Sequence, residues 1–132
     1  MTPLRPASGV VNYEVVAARW LDGAAAQRWV AIPDSELISL SADTAAGSSF
    51  PNGTVFAKHL MSPASAVGPS RPLETQVLHF EYGAWNPYCY LWNTEGTDAD
   101  LVSSIGTTQT VPWPDPYSPS QVGERTWRSG AV

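Results

Sequence analysis

The chain has 132 residues, 43% of them apolar and only 14% charged, with six Trp, one Cys and a formal net charge of −5. That length allows one domain to bury about two-thirds of the surface its unfolded form exposes, and the apolar share excludes a disordered segment. The seven basic residues are scattered, and no run approaches the ~20 apolar residues that span a bilayer, so neither nucleic acid binding nor membrane insertion is expected.

Twelve Pro and ten Gly interrupt the chain, which predicts short strands rather than long helices. Residues 1–9 read as an extended N-terminal arm, and Met1–Ser8 lacks the form of a signal peptide. Val10–Val16 alternates as a strand does. Ala17–Ala26 is open: its alanines suit a short helix, but the Asp22-Gly23 turn signal favours two strands, or a strand and a loop. Arg28–Ile32 is a short strand stopped by Pro33-Asp34, and Leu37–Leu40 is a candidate for another. Residues 41–49 are small and polar.

The run Phe50–Leu101 organises the rest. Pro51-Asn52-Gly53 makes a tight turn into Thr54–Ser62, followed by Pro72–Tyr82 and the aromatic-rich Trp85–Asn93, each bounded by turn formers, as in an antiparallel meander. In the first of these, Val55, Ala57, His59 and Met61 share one face and Phe56, Lys58 and Leu60 the other. Both faces are largely apolar, so the strand is expected under a second layer. Pro87 removes a ladder donor and predicts a bulge or an edge. Residues 97–100 either cap a short helix through Leu101–Ser104 or form a loop. Thr107–Val111 is the last regular strand. Pro112–Ser120 holds four prolines and is expected to wrap the surface, with Thr126–Arg128 returning to the sheet. The expected fold is all-β: a mainly antiparallel, single-domain β-sandwich or jelly roll over residues 10–111, with residues 112–132 packing on it as a proline-rich segment.

Taken in order, PASGVVNYEVVAARWLDGAAAQRWVAIPD, FPNGTVFAKHL, RPLETQVL and WNTEGTDADL resemble an uncharacterised bacterial module. Its motifs run approximately FPxGTVxxKxF, RxxETRxL and WNExxTDA, and the likeness spans about Pro6 to Arg128. The chain departs from that pattern at Leu21, where serine is usual, and at Gln27, where a basic residue is usual. The module sits in exported proteins beside a c-type haem segment, near sugar-dehydrogenase-like domains. The resemblance therefore implies an extracytoplasmic β-domain. Gly123–Arg128 matches the lead-in to the haem segment, but no Cys-x-x-Cys-His follows here, so no covalent haem is expected in this chain.

Several residues are candidates for chemistry. Lys58, the only lysine, either snorkels to the sheet edge or pairs with Glu74 on the next strand, the two being directly opposed if position 58 faces position 74 in the hairpin; the functional alternative is a site cation that contacts an acidic or polyhydroxylated ligand. His59 and His79 on neighbouring strands, with Cys89 on a third, are candidate copper or zinc ligands, against the simpler reading of packed histidines. No Gly-x-Ser-x-Gly elbow marks a nucleophile, and the carboxylates Glu74, Glu81, Glu95, Asp98 and Asp100 have no spacing that assigns a role. Asn93, Thr97 and Asp98 suit an Asx-turn better than a calcium loop. Asn52-Gly53-Thr54 matches a glycosylation acceptor but serves the turn. The aromatic residues are the strongest lead, since rings with polar handles stack on sugars and populate interfaces. Trp85, Trp113 and Tyr117 are expected to be exposed because they adjoin turns or prolines.

The function these features favour is a non-catalytic module that binds carbohydrate or docks a neighbouring redox or polysaccharide-processing domain, using Trp85, Tyr88, Trp113, Tyr117, Lys58 and Glu74. The alternatives are a small metal-dependent or hydrolytic enzyme built on His59 and His79, and a structural subunit that assembles with copies of itself.

Overall fold

In the computed structural model, which describes residues 4–21, 23–41, 47–65, 68–115 and 117–130, the alternating run after Phe50 becomes three adjacent strands. The strands are β1 (Val10–Asn12), β2 (Ala25–Ala31), β3 (Val55–Met61), β4 (Pro72–Glu81), β5 (Ala84–Trp92), β6 (Ala99–Leu101), β7 (Thr107–Asp115) and β8 (Ser118–Ser129). The first six form one sheet in the order β1-β2-β3-β4-β5-β6, and β7 pairs with β8 in a separate two-stranded sheet. Every pairing is antiparallel. The protein is all-β, and none of its described segments is a helix long and apolar enough to cross a membrane.

Turn chemistry fixes where the meander bends. Gly53 has φ of +85°, and a Cβ there would lie 2.9 Å from the Pro33 ring, so both conformation and space demand glycine. The fully buried Thr54 donates its hydroxyl to the Pro51 carbonyl at 2.7 Å, and the Asn52 side chain accepts from the Tyr82 amide at 3.0 Å. The turn that enters β3 and the turn that leaves β4, which lie at the same end of this strand pair, are therefore tied together. Between β4 and β5, Tyr82 and Gly83 carry φ of +49° and +76°, the two positive values a type I′ hairpin requires.

Register then sorts the side chains. His59 lies opposite Thr75, and Lys58 lies between Arg28 and Gln76. One face of the sheet carries Trp29, Val55, Ala57, His59, Thr75, Val77, Tyr90 and Trp92; the other carries Arg28, Phe56, Lys58, Leu60, Glu74, Gln76, Trp85 and Cys89. The second face is covered at both ends. At one end Leu73, Val111 and Trp113 form a buried cluster joined by Ala24 and Trp127, with the Trp113 and Trp127 rings stacked at 5.9 Å. At the other end Phe50 meets Trp85 at 5.1 Å, and Phe56 packs edge-on to Tyr13 at 5.8 Å.

The second layer is thus a two-stranded hairpin, and the strand order is that of a meander with no Greek-key crossover among the described residues. The described part of Pro112–Ser120 is mostly strand rather than a surface wrap, with β7 running to Asp115 and β8 starting at Ser118. Pro112 and Pro114 lie inside β7, opposite Glu124 and Val122, because a two-stranded sheet leaves an outer edge where a missing N–H breaks no ladder bond. Thr126–Arg128 pairs with β7 rather than with the main sheet. The strand expected over Val10–Val16 ends at Asn12, Leu37–Leu40 contributes only a Ser39–Ser49 bridge, and Ala99–Leu101 is strand, not helix. No strand forms before Ala25 in the described part of Ala17–Ala26, and Asp22 lies outside the described residues.

Candidate functional site

All six strands of the main sheet contribute to a cavity of about 410 Å³ on its first face. Val10, Ala31, Val55, Ala57 and Val77 supply aliphatic wall, Trp29, Tyr90 and Trp92 supply rings, and residues 4–6 of the N-terminal arm border the space. Almost nothing polar faces it. A second cavity of about 400 Å³ shares Leu4, Arg5 and Trp92 with the first and adds Gln27, His59 and Ser70, so an apolar cavity and a more polar one lie side by side.

His59 borders the second cavity and is almost wholly buried. Its ring lies 6.2 Å from that of Trp29 and 5.7 Å, nearly perpendicular, from that of Trp92. Nδ1 is 2.8 Å from Thr75 Oγ1, which also accepts the Trp92 indole N–H at 2.9 Å. Thr75 Oγ1 thus ties the imidazole and the indole together, and the hydroxyl can serve either ring-nitrogen tautomer. Burial holds the His59 pKa below its ordinary value. The ring is therefore held in place by Thr75 and resists protonation, with Nε2 outside that bond.

The residues singled out from sequence do not converge here. His79 faces Val55, four positions along β3 from His59, which at about 3.3 Å per residue separates them by roughly 13 Å. Cys89 pairs with Gln76 and so belongs to the opposite face. No group of three metal-ligating side chains forms among the described residues. The expected Lys58–Glu74 opposition is not made either: Lys58 faces Gln76, while Glu74 faces Leu60. The irregularity at Leu60/Met61 and the long connector before β4 set a register that residue spacing does not reveal. Glu74 is buried instead beneath β8, where it accepts from Gln76 Nε2, from Trp127 Nε1 at 3.1 Å and from the Cys89 thiol at 3.8 Å. Burial, with Glu74 alongside, pushes the Cys89 pKa up, which keeps that proton in place.

The four selected rings lie in separate places. Trp85 is 37% exposed within the Phe50 cluster, Tyr88 lies on the cavity face, and Tyr117 is exposed at the β7–β8 turn. Trp113, expected at the surface, is 7% exposed because it fills the core under the hairpin. Period-two alternation along β5 puts Tyr88, Tyr90 and Trp92 on one face, and that was the sequence signal for the cavity wall. Asn93 closes its turn through the Thr97 amide at 2.9 Å and the Thr97 hydroxyl at 3.0 Å, so its side chain is committed to local structure.

No family model matches the chain, and no significant match was found among curated proteins or solved structures.

Proposed function

We propose that this protein is a non-catalytic binding module whose ligand lies along the two adjacent cavities: an apolar molecule with a hydroxyl-bearing end, of the alkyl or aryl glycoside type. The observation that carries this reading is the graded site itself. The first cavity is walled by Trp29, Tyr90, Trp92 and aliphatic side chains, and the second adds Gln27, His59 and Ser70. A free sugar in the first cavity would leave its hydroxyls unpaired, which is unfavourable, whereas an alkyl or aryl tail gains from leaving water. The sugar then stacks on Trp92 and bonds to the polar groups beside it. A binding role beside a redox or sugar-processing domain of an exported protein agrees with the motif resemblance.

Titration of the intrinsic tryptophan fluorescence with octyl glucoside, below its micelle concentration, tests this. A saturable change is expected with octyl glucoside, with little or none from glucose, and Trp92→Ala weakens binding about tenfold or more. A flat response to octyl glucoside, or an equal response to glucose, overturns the reading.

A further inference from the structure

The opposite face of the same sheet carries a charge arrangement that the glycoside site does not use. Arg28 and Lys58 are directly opposed across β2 and β3, a geometry that sets side chains about 5 Å apart and is unfavourable for like charges. Arg28 is buried, at 8% exposed, and Lys58 is half-buried, so water screens this repulsion only in part. Burial, then the field of Arg28, hold the Lys58 amine below the usual lysine range; Glu74 acts against them and Arg19 with them. Among the described residues, Glu74 is the one carboxylate whose field favours a charged Lys58, and its oxygens are already engaged by Gln76 and Trp127. Two opposed cations, Arg28 and Lys58, therefore share the field of one committed carboxylate, in a chain whose net charge is −5. Beside them is a cavity of about 170 Å³ lined by Lys58 and Gln76 together with Tyr13, Phe56 and Leu78.

We propose that this cavity is a second, separate binding site for a small organic oxyanion, its carboxylate or phosphate head against Lys58 and its apolar part against Tyr13, Phe56 and Leu78. Arg28 and Arg19 supply the remaining field. An anion here relieves the Arg28–Lys58 repulsion, and the ring-lined wall selects an aryl or short alkyl acid over an inorganic ion.

Lys58 is the only lysine in the chain, so it can report on its own site. Reductive methylation with ¹³C keeps its charge and gives one side-chain NMR signal, distinct from that of the N-terminal amine by its titration. At constant ionic strength, benzoate or phenyl phosphate should shift this signal saturably, the stronger of the two identifying the head group, while benzyl alcohol leaves it in place. Arg28→Gln should weaken the effect about fivefold. The wild-type titration decides alone if that variant does not fold. No saturable shift with either acid, or the same shift with benzyl alcohol or sodium chloride, overturns the proposal. Because the probe lies on the opposite face from the fluorescence experiment, the two sites succeed or fail independently.

Discussion

The two faces of the six-stranded sheet are made by alternate residues of the same strands, yet they solve burial in opposite ways. On the face beneath the β7–β8 hairpin, Leu73, Val111 and Trp113 close-pack, and a buried carboxylate survives because Gln76, Trp127 and Cys89 all donate to it. On the other face no described element of comparable bulk covers the strands, and rings and aliphatic side chains border open volume. A side chain's contribution to stability is therefore set by what faces it, not by its strand or its hydrophobicity.

The sharpest way to break this comparison is to truncate one side chain on each face. Trp113→Ala should lower the unfolding free energy by about 3–5 kcal/mol, since it opens a cavity under a hairpin that cannot collapse into it. Val55→Ala, whose side chain already borders the large cavity, should cost about 1 kcal/mol or less. Urea denaturation of the two variants measures the contrast. Equal losses would mean that the cavity face is packed as tightly as the hairpin face.

A second, smaller effect separates the faces by pH. Burial holds the His59 pKa below the ordinary histidine value of 6.5. In the unfolded chain the ring takes up a proton near that pH, while in the folded chain it resists doing so. The stability present above pH 6.5 is therefore lost as the pH falls below it, until the folded ring itself titrates. The urea midpoint should drop between about pH 7.5 and pH 5.5 in the wild type, and the drop should shrink in His59→Phe. An unchanged slope in the variant would remove His59 as its source.

How much of this was legible in the sequence follows from the range of the interactions involved. Asn52-Gly53 and Gly83 are local signals, and they delimited β3, β4 and β5 to within a residue or two. The pairing of Lys58 depends on a connector and a bulge, neither of which has a residue signature, so Glu74 was assigned to the wrong opposite. Four prolines concealed the β7–β8 hairpin, since proline is penalised in central strands and not at the open edge of a two-stranded sheet. The aromatic residues were weighed by their closeness to turns, whereas parity along β5 was the feature that placed Tyr90 and Trp92 beside Trp29.

The smallest expected effect isolates the scaffold from both faces. Tyr82 holds φ of +49° in the β4–β5 turn and is 87% exposed, so its ring contributes little packing while its backbone occupies a region that bulky residues avoid. Asparagine tolerates that conformation and is the preferred residue at the first position of a type I′ turn. Tyr82→Asn should therefore raise stability by about 0.5–1 kcal/mol. It should leave octyl glucoside and benzoate binding unchanged, because Tyr82 lines neither cavity. If stability rises and either affinity falls with it, that site is coupled to the hairpin rather than held rigidly by the sheet, and the two faces do not act as independent surfaces.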